Sequence, residues 1–175
     1  CSFENKNYIC IAPDGVVCVW SPKDYPTYWK LVEQYVNEFI DISNWQAGLN
    51  VATVVKNGGL GAVVVKATEG LSFVDKSCDS FVQQCNNNGI RFGYYHFARS
   101  GNASREAQFF YNNTKGYTKK GIPILDWEDN QSVAWVNEWV KKFHDISGVW
   151  PWIYANPWRF SQGKVNENCG RWVAG

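Results

Sequence analysis

From Phe39 onward the chain alternates between two hydrophobic patterns. Short runs in which nearly every residue is apolar and β-branched, such as "LGAVVVKAT", are separated by stretches where apolar residues return every three or four positions. The first kind predicts a strand covered on both faces, the second an amphipathic helix. In order, "EFIDIS" predicts a strand, "VATVVKNG" a short helix ending at Gly58, "LGAVVVKAT" a strand, and "DKSCDSFVQQCNNNG" a helix with Asp75 as N-cap and Gly89 as stop. Then come "IRFGYYHF" as strand, "ASREAQFFYNN" as helix and "GIPILDWE" as strand. "SVAWVNEWVKKFHDISG" is a helix with Val133, Val136, Val140 and Phe143 on one face, "VWPWIYA" is a strand, and "RWVAG" begins another.

Strands alternating with helices imply a mainly parallel sheet and an α/β fold. Neither G-x-G-x-x-G nor G-x-x-x-x-G-K-[ST] follows any strand, so a nucleotide-binding sheet lacks its signature and a barrel is the better expectation. Residues 1–37 break the rhythm. A hairpin over residues 8–20 with a Pro-Asp-Gly loop would set Cys10 opposite Cys18, close enough for a disulfide. After it, Tyr28, Leu31, Val32, Tyr35 and Val36 fit one face of a helix. The pattern assigns this extension no function.

A length of 175 residues suits one domain with a substantial core, and no apolar run approaches the roughly 20 residues that span a bilayer. Lys and Arg (17) nearly balance Asp and Glu (16), which argues against nucleic acid or an anionic membrane as partner. Cys78 and Cys85, seven apart in a helix, lie too far apart to bridge and read as buried small hydrophobes. With no C-x-x-C pair and two histidines, no zinc site is indicated. The sequence contains no Met and opens without a basic, apolar leader, so the expectation is a processed product or fragment with no visible signal peptide. A large core and surface packing account for most of the ten Trp, nine Tyr and ten Phe, and several suit a groove for a flat, partly apolar ligand such as a sugar ring.

The chemistry concentrates at strand ends, where barrel enzymes keep it. "GIPILDWEDN" finishes an apolar strand with Asp126, Glu128 and Asp129. Asp126 and Glu128 are two apart and share a face, their Cβ atoms about 6–7 Å from each other, while Trp127 points the other way. Like charges that close raise one pKa and keep one group protonated. Other strand ends add Asp41 in "FIDISNWQ", Lys66, Thr68 and Glu69 in "VVVKATEG", Tyr95 and His96 in "GYYHFAR", and Tyr154 in "WIYAN".

These segments, "FIDISNWQ", "GAVVVKATEG", "FVDKSCDSF", "GIRFGYYHFAR", "GIPILDWEDN", "WIYAN" and "RWVAG", resemble in the same order the glycoside hydrolase family 25 lysozymes, the Chalaropsis-type muramidases of phage endolysins and bacterial autolysins. The resemblance runs from Phe39 to Gly175. It implies an irregular TIM-like barrel of five β/α units with further strands, and cleavage of the β-1,4 bond between N-acetylmuramic acid and N-acetylglucosamine in peptidoglycan. Carried over by position, Glu128 is the general acid, Asp126 holds and tunes the site by positioning the substrate's acetamido group, and Asp41 is a further catalytic or electrostatic carboxylate. Tyr95, His96, Lys66, Glu69, Tyr154 and Trp127 form the candidate substrate-binding set. The resemblance implies retention of configuration and admits the substrate's acetamido oxygen as nucleophile. No cofactor or metal is implied.

Two departures accompany it: the 1–37 extension, and an end at "RWVAG" where the family continues, so that residues 38–175 read as a catalytic domain incomplete at its C-terminus. His96 reads as a site-lining or structural histidine bonded to carboxylates, and His144 as surface. Lys66 and Glu69 pair with each other, with the acids, or with substrate. The expected setting is extracellular or the cell wall, as a monomer. The alternative is an inactive glycan-binding barrel or inactive fragment; a chitin hydrolase would carry D-x-x-D-x-D-x-E, which is absent. Sequons at Asn102, Asn112 and Asn130 matter only in a glycosylating host.

Overall fold

A computed structural model describes residues 38–174, together with Ser2–Phe3, Lys6–Cys10, Ser21, Lys23 and Trp29–Val32. The chain divides into two compact units, Cys1–Val36 and Asn37–Gly175. In the first, β1 (Ser2–Phe3), β2 (Lys6–Cys10) and β3 (Trp29–Val32) form an antiparallel sheet, with Cys10 opposite Trp29 and Asn7 opposite Val32. This corrects the helix expected over 28–36. Four residues containing Trp, Leu and Val satisfy a strand as well as a helix turn, and pairing with β2 gains more than a short helix can hold alone. The rest of that helix, and the return strand of the 8–20 hairpin with Cys18, lie outside the described residues.

The second unit follows the strand–helix alternation. Its strands are β4 (Phe39–Ile42), β5 (Ala62–Glu69), β6 (Phe73–Val74), β7 (Arg91–Phe97), β8 (Ile122–Asp126), β9 (Trp152–Ala155) and β10 (Gly170–Val173). Its helices are α1 (Val51–Gly58), α2 (Cys78–Asn87), α3 (Ala103–Thr114), α4 (Val133–Ser147) and α5 (Pro157–Ser161). The sheet runs β10-β9-β8-β7-β5-β4, every neighbour parallel, with β6 pairing antiparallel to β5. One correction falls at α2. Its N-cap is Ser77, and Asp75 instead accepts N–H bonds from Ser77 (2.8 Å) and Asn44 (2.8 Å).

Alternation sorts each strand's residues to two faces. Ile42, Val63, Val65, Tyr94, Leu125 and Ile153 go outward into the core beneath the helices, where Trp139 stacks on Phe143 and Phe110 packs tilted against both. The other face turns inward, and there the sheet curls. Phe39 on β4 and Trp172 on β10, its two end strands, touch with centroids 4.8 Å apart. Gly93 lies on the inner face because a Cβ there would sit 3.0 Å from Ile124 and 3.4 Å from Val64. Cys78 and Cys85 are buried and unbridged on α2, and their thiols are pushed up to about 12 and about 11, first by burial.

Candidate active site

The upper part of the curled sheet encloses a cavity of about 380 Å³. Six strands contribute to it: Asp41 from β4, Lys66 from β5, Tyr95 and Phe97 from β7, Ile124 and Asp126 from β8, Tyr154 from β9 and Trp172 from β10. Ser43, Trp45, Gln46 and Glu128 complete the wall from the segments that follow β4 and β8. Register explains the gathering: Asp126 stands beside Phe97 on one side and Tyr154 on the other, and Tyr154 beside Trp172. Trp172 and Tyr154 pack at 4.4 Å.

The strand β8 ends at Asp126, not at Glu128 as the sequence reading extended it. Even so, the alternation persists one step further, because Trp127 still donates its N–H to Tyr154 O at 2.9 Å. Asp126 is buried and Glu128 exposed at the wall. Burial first, then the neighbouring charge of Glu128 and, less, of Asp41, pushes the Asp126 carboxyl up to about 8, against a downward pull from Lys66. Its Oδ1 has no hydrogen-bond partner among the described residues. Burial and the neighbouring acids both favour the protonated form of Asp126. Burial first, then the cavity's acids, Asp126 among them, raises the hydroxyls of Tyr95 and Tyr154, which remain neutral donors.

On β5 the pairing with β7 slips between Lys66 and Thr68. The extra residue turns Thr68 to the core face and leaves Lys66 and Glu69 together on the inner side. Lys66 Nζ meets Glu69 Oε2 at 2.6 Å, and Arg99 Nη2 meets Glu69 Oε1 at 2.7 Å. Partial burial works against ionisation of Glu69, but the bonds from Lys66 and Arg99 hold its carboxyl below the ordinary value. Lys66 also sits over the rings of Phe97 (5.1 Å) and Phe73 (5.3 Å). So the Lys66–Glu69 pairing that the sequence left open is present, with Lys66 reaching the cavity and Glu69 behind it.

Glu69 does not line the cavity, and two further candidate binding residues are placed elsewhere. His96 is fully buried on the outer face, stacked on Trp139, its Nε2 3.0 Å from Glu106 Oε2 and its Nδ1 2.8 Å from Thr68 Oγ1. Burial lowers its pKa and keeps it neutral. Trp127 is also buried, donating Nε1–H to Gln131 O with Arg159 over its ring. Neither lines the cavity, because both occupy outward positions in the alternation. The sequence reading missed Ser43, Trp45, Gln46, Phe97, Ile124 and Trp172; the inward period of each strand was the available signal for the last three. Among the described residues, no group of His, Cys, Asp and Glu could hold a metal ion, and no helix is long and apolar enough to cross a membrane.

Comparison with known proteins then settles the family. The profile of glycosyl hydrolases family 25 matches residues 40–175. The chain belongs to glycosyl hydrolase family 25. An autolytic lysozyme from Clostridium acetobutylicum is 28% identical over 142 residues, covering 77% of this chain and 44% of that protein. An N,O-diacetylmuramidase from Chalaropsis sp is 32% identical over 149 residues, covering 73% of this chain and 70% of that protein. A family 25 lysozyme structure from Aspergillus fumigatus is 29% identical with a TM-score of 0.62, covering 70% of this chain and 66% of that one. This family 25 chain thus spans less than half of the clostridial relative and just under two thirds of the fungal structure.

Proposed function

We propose that this chain hydrolyses the β-1,4 bond between N-acetylmuramic acid and N-acetylglucosamine in peptidoglycan, with residues 38–175 as the catalytic domain and the curled sheet as the greater part of an irregular β/α barrel. The observation that supports this reading is the convergence of Asp41, Asp126 and Glu128 on one cavity in which Asp126 is buried and its carboxyl pushed up to about 8. Glycoside hydrolysis needs a proton for the leaving oxygen and negative charge beside a developing oxocarbenium ion. Glu128, exposed at the wall, delivers the proton. Asp126 accepts the N–H of the substrate's acetamido group on a carboxyl oxygen and so holds the acetamido oxygen for attack on the anomeric carbon. Asp41 supplies the negative charge. Tyr95, Tyr154 and Trp172 form the walls against the sugar faces. The protein works as a monomer at the cell wall, secreted or released by lysis. Residues 1–37 take no part in this reading.

A second assignment follows from the raised Asp126 carboxyl: Asp126 itself delivers the proton. The two are separated by incubating the chain, Glu128→Gln and Asp126→Asn with purified peptidoglycan, reducing the products with borohydride and identifying the reduced sugar. The expected result is reduced muramic acid from the parent, with Glu128→Gln losing about 10²–10⁴-fold in rate and Asp126→Asn, which keeps an acceptor oxygen, losing less. The reverse order transfers the acid role to Asp126. Reduced glucosamine, or no new ends, overturns the muramidase reading.

A further inference from the structure

The wall of the cavity beside β4 is not built by the sheet. After Ile42 the chain passes through Ser43 into the 3-10 turn Asn44–Gln46, and Ser43, Trp45 and Gln46 all line the cavity. Trp45 is 85% exposed. A tryptophan left that open forfeits most of the burial its ring can supply.

Yet the turn beneath it is fixed by several bonds. Ser43 Oγ accepts from Trp45 N at 3.3 Å, and Gln46 Oε1 accepts from Ser43 N at 2.9 Å, a capping box. From a distant element, Asp75 Oδ2 accepts from Asn44 N at 2.8 Å while its Oδ1 accepts from Ser77 N at 2.8 Å. Asp75 is 3% exposed and its own N–H is bonded to Ala67 O at 2.9 Å. A buried carboxylate is costly unless its oxygens are satisfied; here both are committed to one backbone turn and the start of one helix. The arrangement is a rigid mount under an exposed aromatic face. Because Gln46 spends its oxygen in the capping box, its NH₂ group remains as a donor beside that face.

We infer that Trp45 is a stacking platform for a saccharide ring of the bound glycan, and that Asp75 is the positioning residue that holds it at the cavity. The flat ring offers its π-face to the C–H face of a sugar, and the Gln46 NH₂ group donates to a hydroxyl or acetamido oxygen of the same unit. This rests on the glycan reading of the cavity and adds a binding subsite that the carboxylates do not provide.

The test separates binding from cleavage. Peptidoglycan glycan strands stripped of peptide are titrated calorimetrically into the Glu128→Gln chain. Adding Trp45→Ala raises Kd about tenfold, equivalent to about 1.4 kcal/mol. In the cleaving chain, Trp45→Ala raises KM by a similar factor while kcat holds within about twofold. Asp75→Asn moves Kd in the same direction, and the Trp45→Ala/Asp75→Asn pair binds no more weakly than Trp45→Ala alone, since Asp75 acts through Trp45. Should Asp75→Asn fold poorly, Asn44→Pro serves. It deletes the N–H that Asp75 accepts, together with an exposed side-chain amide, at a first helical position that tolerates Pro, after a residue already extended at φ −144° and ψ −169°. Loss of thermal stability with Kd unchanged in Asp75→Asn and Asn44→Pro overturns the positioning role, and an unchanged Kd in Trp45→Ala overturns the platform. Trp45-dependent binding in a chain that cuts nothing would sink the muramidase reading and leave this one standing.

Discussion

Phe39 at the start of β4 and Trp172 on β10 meet edge to face, with ring centroids 4.8 Å apart and planes at 72°, although their strands are the opposite ends of the sheet. The contact makes the curl visible in side chains: six parallel strands bring their first and last members together, and the cavity lies within. Trp172 also packs on Tyr154 at 4.4 Å, so one ring ties both flanks of the cavity wall.

Trp172→Ala removes both aromatic pairs and leaves Phe39, already exposed, without its partner. Pairs of this kind contribute about 0.5–1.5 kcal/mol each beyond area burial, so the expected loss is about 1–3 kcal/mol. Urea unfolding followed by circular dichroism would show it, with the m-value retained. Activity falls as well, because Tyr154 loses its backing. A variant with parent stability would mean that the end strands are held together by something other than these rings.

Asp126 sets a pH dependence whose sign can be worked out. Its folded pKa, about 8, lies above the ordinary value of about 4 for an unfolded chain. Between those limits the native state binds more protons than the unfolded state, so the carboxyl's contribution to stability is complete below pH about 4, declines as pH rises, and is lost above pH about 8. Asp126→Asn lacks this titration. The variant should match the parent in acid and exceed it in stability by several kcal/mol near pH 9, as read from urea midpoints across the range. A constant difference at all pH values would contradict the raised pKa.

Much of this site was readable in the chain, and the residues show where reading stopped. Asp126, Glu128, Tyr95, Lys66, Asp41 and Tyr154 were legible because each stands at the end of a strong apolar run, where a two-residue period assigns the face. The same period places His96 opposite Tyr95, and Trp127 opposite its neighbours, yet a polar or aromatic tip drew them into the candidate site. Thr68 and Glu69 could not be placed, since the irregularity after Lys66 inverts the faces and no glycine or proline marks it. Trp45 belongs to a turn, where no period applies. Asp75 looked like a cap because acids often are; it does accept from Ser77 N, but its other partner, Asn44, is 31 residues away in sequence. The strand Trp29–Val32 shows the same limit from the other side, since its pairing partner and not its own pattern decides it.

Glu106 is a buried acid outside the cavity, and its role follows from its partners. Oε1 accepts from Gly101 N at 3.0 Å; Oε2 accepts from Arg99 N at 3.0 Å and from His96 Nε2 at 3.0 Å. With His96 donating from Nε2, its Nδ1 accepts from the Thr68 hydroxyl. Every partner of Glu106 is a donor, so both oxygens must be acceptors. Glu106→Gln sets an NH₂ group against at least one N–H and should cost about 1–3 kcal/mol. Thr68→Val, which strands Nδ1, should cost an amount of the same order. Thermal melts of the two variants check this, and parent-like melting of Glu106→Gln would mean that the loop 98–101 finds other acceptors.

Lys66 is the nearest lever on the Asp126 proton. Its charge draws the Asp126 carboxyl downward, against burial and the surrounding acids. Lys66→Met keeps a side chain of similar length between the rings of Phe73 and Phe97 and deletes the charge. Two effects follow. Glu69 loses one of the bonds that hold it ionised, though Arg99 still supplies two at 2.9 and 2.7 Å. Asp126 loses its one favourable neighbour and its pKa rises further. If activity requires Asp126 protonated, the alkaline limb of the rate profile moves to higher pH in Lys66→Met, and it vanishes in Asp126→Asn, which has no proton to lose. Measured on peptidoglycan strands from pH about 5 to 10, an alkaline limb that moves to lower pH in Lys66→Met, or one that survives in Asp126→Asn, would assign that limb to a different group.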